Sequence, residues 1–170
     1  MTTITLTRER TDLLEELGER RGFLRFTARD LTEEQARLTP TASVLSIGGL
    51  IKHVTVVESV WGDFVRRGPV HDSRTPEEQY AAQLASFRPE ESETLAELLA
   101  AYEKVAAETD GLVRTVDLDA DHALPERPWF EPGARWSNRK AITHIIGETA
   151  QHAGHADIIR ETIDGQKTMG

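Results

Sequence analysis

A chain of 170 residues that is 38% hydrophobic and 29% charged is long enough to bury a core of its own, with the composition of a globular rather than a disordered protein. It has no cysteine, which excludes disulfides, thiolate metal sites and a cysteine nucleophile, so any metal must be bound through nitrogen and oxygen. A formal net charge of −9 without a long run of Lys or Arg leaves no basic face for nucleic acid, and no stretch approaches the ~18–20 uncharged apolar residues of a membrane span.

Met1 to Arg10 shows neither an apolar signal-peptide core nor a cleavage pattern, so a cytoplasmic protein is expected. The first helix is expected from Arg8 to Arg29, with Leu13, Leu14, Leu17, Leu24 and Ala28 as its apolar stripe. Arg8, Arg10, Arg20, Arg21 and Arg25 are interleaved with Glu9, Glu15, Glu16 and Glu19, the pattern of a solvated helix surface. Thr32-Glu33-Glu34-Gln35 reads as a capping box that opens a short turn of helix, ended by Pro40. Ser46 can cap a second long helix, Ile47 to Arg67, which Gly68-Pro69 stops. Its apolar positions are Ile47, Leu50, Ile51, Val54, Val57, Trp61 and Phe64; His53 falls among them, and Lys52 and Glu58 are expected to reach solvent.

Thr75-Pro76-Glu77-Glu78 combines an N-cap, a proline at the first helical position and a capping-box Glu, predicting a short helix from about Pro76 to Ala85. It lies in a long crossover, expected to run across the mouth of a bundle. A third long helix is expected from Glu93 to Thr115, on Leu95, Leu98, Leu99, Tyr102, Val105 and Ala106. Residues 116–136 read as an irregular loop that holds Pro125, Pro128, Pro132 and Gly133, with Trp129, Phe130 and Trp136. Loops of that length in a compact domain are often functional. Ser137 can cap a fourth long helix, about Asn138 to Ile163, with Asp164-Gly165 as its stop and residues 166–170 as a loose tail. Strand alternation is hard to find anywhere. The expected fold is all-α, a four-helix bundle with short extra helices in its connections, and residues 1–165 are expected to form one domain.

The fourth helix carries His144, Glu148, His152 and His155. Steps of four residues advance about 40° around a helix, so all four point to one side, near the core-type residues Ala141, Ile145, Ala156 and Ile159. A carboxylate or imidazolium beside a buried stripe needs a partner. A metal ion would satisfy two imidazoles and one carboxylate together, and three protein ligands would leave coordination positions open for water or substrate. The spacing alone leaves open whether His144 and Glu148 or Glu148 and His152 form the pair. It also leaves open a plain buried network of His, Glu and Arg. His53 is the natural third ligand from a neighbouring helix; His71 reads as a loop residue and His122 lies in an acidic loop.

Two segments carry a resemblance to a known family. Leu45-Ser46-Ile47-Gly48-Gly49-Leu50-Ile51-Lys52-His53 resembles the short motif that ends in a metal-binding His on the second helix of the DinB-like superfamily of metal-binding four-helix proteins. His144-Ile145-Ile146-Gly147-Glu148-Thr149-Ala150-Gln151-His152-Ala153-Gly154-His155-Ala156-Asp157 resembles that superfamily's second motif, commonly His-x-x-x-His. Here Glu148 stands at the first position of the pair, as in the branch of mycothiol-dependent maleylpyruvate isomerases and their small relatives. The resemblance covers nearly the whole chain. It implies a DinB-like bundle with His53, Glu148 and His152 on a divalent metal, zinc or else nickel, iron or manganese. It implies that His144 and His155 support the ligands or line the pocket.

The isomerase relatives carry a further C-terminal domain, and this chain ends soon after its fourth long helix. The resemblance therefore implies the wider activity, transfer of a low-molecular-weight thiol such as mycothiol to an electrophile. Trp61, Trp129 and Trp136 are candidate pocket walls, and Arg139 and Arg160 are candidate partners for a substrate carboxylate. Two other readings stand beside this one. The three ligand types also form the facial triad of non-haem iron enzymes. A metal-binding or stress-response bundle without catalytic activity, dimeric through exposed apolar faces, is the non-enzymatic alternative.

Overall fold

The computed structural model describes residues 6–70, 72–125, 127 and 130–168. The Thr7 hydroxyl accepts the Arg10 amide and starts α1 (Arg8–Thr27). The Thr32 capping box opens the five-residue α2 (Glu33–Arg37). Ser46 caps α3 (Ile47–Arg67), and Thr75 with Pro76 starts α4 (Pro76–Ser86). Thr94 and Glu97 form the box of α5 (Leu95–Thr115). Ser137 caps α6 (Asn138–Asp164), which Gly165 ends in the left-handed region at φ 79°. The four long helices α1, α3, α5 and α6 form the bundle, with α6 against both α1 and α3, and α3 also against α5.

Two features differ from expectation between the elements. Within the 116–136 segment, β1 (Asp121–Ala123) and β2 (Arg135–Ser137) form an antiparallel hairpin with His122 opposite Trp136. Strands of three residues are too short to show an alternating pattern, so the sequence reads as loop. The segment is tied to the start of α6: Asn138 donates from its side chain to the Asp117 carbonyl, and the amides of Asn138 and Arg139 donate to Ala120 and Leu118. The first helix also stops at Thr27, two residues before the expected end, where Asp30 takes φ 60° and turns the chain. Pro128 and Trp129 of the loop, and His71, lie outside the described residues.

The interior consists of two apolar clusters. One gathers Leu24, Leu50, Ile51, Val54, Leu98, Tyr102, Ala156 and Ile159. The other gathers Leu17, Phe64, Val113, Ile142 and Ile145. Along each of three helices a charged residue falls between the two. Arg21 of α1, 3% exposed, meets Glu58 of α3, which is fully buried, and donates to Asp110 of α5 at 2.8 Å. This corrects two expectations from the sequence, since neither Arg21 nor Glu58 is a solvated surface residue. The interleaving of charges on α1 concealed one Arg that faces inward, and Glu58 lies about 140° around α3 from His53, on the side that faces α1 and α5. Burial disfavours the Arg21 cation, but the Glu58 and Asp110 carboxylates reverse that effect and hold its pKa above the ordinary value.

Breaking this layer from one side leaves a buried charge. Glu58→Ala is expected to cost about 3–5 kcal/mol, whereas Arg21→Met combined with Glu58→Leu costs less than Glu58→Ala alone. Urea unfolding of the variants checks the order.

Candidate metal centre

The centre begins with a close backbone contact. The chain that leaves α4 crosses the first turns of α3, where a Cβ at Gly49 would overlap the Phe87 carbonyl oxygen and one at Gly48 would press on the Ala36 carbonyl at 3.2 Å. Gly49 therefore lets the crossover lie directly on the helix, while Gly48 makes room for the end of α2. Lys52 ties it down, donating to the Arg88 carbonyl at 3.2 Å and pairing with Glu93 at 2.7 Å. Lys52 is thus engaged by the crossover rather than free in solvent. Arg37 of α2 donates to the carbonyls of Pro89 and Glu90, bracing the same segment from the other side.

The crossover brings Ser86 and Phe87 onto His53. The Ser86 hydroxyl donates to the Gln83 carbonyl at 2.6 Å, so toward His53 Nδ1, at 2.8 Å, its oxygen acts as acceptor. His53 is thereby set as the Nδ1–H tautomer, which leaves the Nε2 lone pair free. Phe87 stacks on the imidazole with ring centres 3.6 Å apart and planes 16° from parallel. Tautomer and ring plane are both set by neighbours from the crossover.

The facing helix supplies Glu148 and His152, one turn apart on α6. His152 Nε2 lies 3.7 Å from Glu148 Oε2, and the His152 ring stands edge-on to His53 at 4.8 Å. His152 Nδ1 faces His155 Nδ1 at 3.4 Å, so the Nε2 edge is the one turned toward Glu148. One potential ligand atom from each of His53, Glu148 and His152 lies within 4.8 Å of the others. His144 lies on the other flank of Glu148, its Nε2 3.6 Å from Oε1, and its ring touches Trp61 and Trp136. Among the described residues this is the only group of three or more acidic or imidazole side chains with that geometry.

Protonation states suit a cation. Burial, and next the charge of a protonated His152, push the His53 pKa down to about 4, so this ring is neutral at pH 7. Glu148 is held below the ordinary carboxylate range, chiefly by the His152 ring beside it and against the effect of burial. His144 is lowered by burial, only partly offset by Glu148. A neutral imidazole and an ionised carboxylate are the forms that bind a metal without first releasing a proton.

Other residues singled out from the sequence are placed as follows. Trp61 and Trp136 stack on one another at 4.8 Å. Arg139 is engaged by Glu9 and Asp119, away from the donor group, and Arg160 is buried, donating to the Thr27 and Arg29 carbonyls and pairing with Asp164. Both guanidiniums have partners within the chain. His122 packs against Phe64, outside the donor group. Ser86 and Phe87 were missed as site residues. The Gly48-Gly49 pair before His53 was the available signal, because paired glycines on a helix mark a close backbone approach.

Fold and site together define a class: an α-helical bundle whose second and fourth long helices share a compact nitrogen-and-oxygen donor group. The chain belongs to the mycothiol-S-transferase (MST) family, whose model matches residues 12–165. Among solved structures it is similar to a conserved protein from Enterococcus faecalis, at 15% identity and a TM-score of 0.66, over 95% of this chain and all of that one, a likeness of fold. No curated protein matches the chain. Among the described residues no helix is long and apolar enough to cross a membrane.

Two outcomes follow from the His53 environment. Nitrogen-15 spectra of metal-free protein are expected to show His53 as the Nδ1–H tautomer, with a mixture in Ser86→Ala and the single tautomer restored in Ser86→Thr. As pH falls from about 6.5 to about 4, the unfolded chain takes up a proton at His53 before the folded chain does. The stability of the metal-free protein therefore falls through that window, and His53→Gln has a shallower slope in urea titrations at successive pH values.

Proposed function

We propose that His53, Glu148 and His152 hold one divalent cation, zinc in preference to nickel, iron or manganese, and that the protein is an enzyme joining a low-molecular-weight thiol, mycothiol, to an electrophile. The observation that carries this reading is the approach of the His53, Glu148 and His152 donor atoms, from helices far apart in sequence, to within 4.8 Å. Two imidazoles and one carboxylate suit zinc, and three protein ligands are the catalytic number, with room for a further ligand. Zinc also accepts a sulfur ligand readily and has no redox chemistry of its own to oxidise a thiol. Membership of the mycothiol-S-transferase family supports the thiol and the electrophile as substrates. A chain without cysteine has no thiol of its own to compete. A reducing cytoplasm, where small thiols persist, is the fitting compartment.

A cation bound here supplies Lewis acidity, lowering the pKa of a thiol so that a thiolate is present at neutral pH. The protein's own residues do the rest. Ser86 keeps the Nε2 lone pair of His53 turned into the site. Phe87 covers the His53 ring and excludes water from that flank. His155 meets the Nδ1 edge of His152 and so orients its Nε2 edge toward Glu148. His144 Nε2 stands beside the outer oxygen of Glu148, where it limits the carboxylate's rotation. These supports act by orientation, and loss of such a partner typically weakens metal affinity about 10–100-fold.

Metal analysis and competition with a chromophoric chelator test the first half of the proposal. Wild-type protein is expected to carry one zinc per chain; His53→Ala and His152→Ala lose it, and Ser86→Ala binds about tenfold more weakly. Stoichiometric metal surviving in both His variants would overturn the ligand assignment. Conjugation of mycothiol to a chromogenic electrophile tests the second half. Metal without conjugation, across several thiols, would identify a binding module instead.

A further inference from the structure

The crossover that covers His53 is held from two helices. On the α2 side, Arg37 donates to the carbonyls of Pro89, Glu90 and Glu93, and the Glu33 carboxylate accepts the Leu95 amide at the start of α5. These contacts fix the segment to α2 and leave its register on α3 to other groups. Besides the Ser86–His53 bond itself, the polar tie to α3 among the described residues is Lys52. Its ammonium pairs with Glu93 at 2.7 Å, donates to the Arg88 carbonyl at 3.2 Å and lies 3.9 Å from Glu90.

The two ends of this clasp adjoin the two ends of the His53 contact. Lys52 precedes His53 on α3, and Arg88 follows Phe87 on the crossover. With the Arg88 carbonyl held, Phe87 and Ser86 are only one and two residues from a fixed point. Glu93 also accepts the Glu90 amide at 2.6 Å, so one carboxylate closes the turn and holds the ammonium. The Lys52 side chain is 18% exposed, against 58% for Arg67 in its pair with Asp63 on the same helix. The clasp is therefore less screened than an ordinary surface pair.

We propose that Lys52 and Glu93 are positioning residues for the metal centre: their ion pair holds Ser86 and Phe87 on His53, and so fixes the tautomer and plane of that ring through the crossover. The inference rests on the reading of His53 as a metal ligand. The clasp can order His53 by no more than its own interaction energy, so losing it costs less than losing the Ser86 hydroxyl. The effect is mechanical, and this separates it from a direct influence of the neighbouring ammonium charge on the imidazole.

Nitrogen-15 spectra of the metal-free protein and zinc competition against a chelator read the two consequences. Lys52→Met and Glu93→Gln are each expected to give a mixture of His53 tautomers and zinc binding weakened about three- to fivefold. Lys52→Arg should keep the single Nδ1–H tautomer. The Gln side chain can still accept the Glu90 amide, so the loss in Glu93→Gln reports the ion pair and not the turn. Exchanging the charges, Lys52→Glu with Glu93→Lys, should recover much of the single tautomer, whereas a direct effect of charge at position 52 would be made worse. In a Ser86→Ala background, Lys52→Met should leave the tautomer ratio unchanged, because the clasp acts through that hydroxyl. Asp63→Asn, which breaks the Arg67 pair on the same helix, should leave both readouts at wild type. Wild-type spectra and affinity in both Lys52→Met and Glu93→Gln overturn the inference and leave the ligand reading intact. An effect of Lys52→Met that Glu93→Gln does not share, or a charge exchange that recovers nothing, also overturns it. Mixed tautomers in the clasp variants of a protein that binds no zinc uphold the hold on His53 and remove the ligand reading.

Discussion

The contact on which the site depends is the passage of residues 86–89 across the first turns of α3. Only a helix without a Cβ atom at position 49 admits that backbone so close, and a Cβ at position 48 would press on the Ala36 carbonyl of α2. That approach puts the Ser86 hydroxyl on one nitrogen of His53 and the Phe87 ring on its face. Glycine within a helix ordinarily costs stability, about 1 kcal/mol relative to alanine. Here the cost is offset by what the glycines admit: a histidine in one tautomer and one plane, held by parts of the chain more than thirty residues away. A histidine so held needs no rearrangement to donate its remaining lone pair.

A second constraint acts on the helices themselves. His53 and Glu148 can share a ligand only if α3 and α6 keep their rotation about their own axes. Apolar packing is tolerant of small rotations, because many hydrophobic contacts of similar energy replace one another. A buried ion pair is less tolerant, because losing its geometry strands a charge. Arg21, Glu58 and Asp110 link α1, α3 and α5 between the two apolar clusters. Glu58 lies five residues beyond His53 on the same helix, so the pair that registers α3 in the bundle also sets the direction in which His53 points. At the far end of α6, Arg160 does similar service, tying the helix to the carbonyls that end α1.

Much of this was legible in the residues. Capping boxes at Thr32 and Thr75 and serine caps at Ser46 and Ser137 mark where helices begin, because a side chain that satisfies a free amide leaves a local signature. The four-residue steps from His144 to Glu148 to His152 likewise show a polar stripe on one helix face. The illegible parts depend on contacts between segments. Arg21 and Arg20 are indistinguishable in a charged run, yet one is buried against Glu58 and the other pairs with Glu16 at the surface. Spacing treats His144 and His152 as equivalent neighbours of Glu148, and only the position of α3 separates them. Ser86 carries no local mark of its role, since its partner is thirty-three positions back along the chain.

The two flanks of the centre carry different physical chemistry, and the difference bears on how a thiol and an electrophile can be brought together. On the His53 flank, burial and the Phe87 ring lower the local dielectric and exclude water, which keeps the imidazole neutral. On the Glu148 flank, the carboxylate is partly exposed and bordered by His144 and two half-open indoles. A small anion that needs charge stabilisation is served by the first environment together with a cation. The donor group is thus covered by Phe87 at His53 and partly exposed at Glu148.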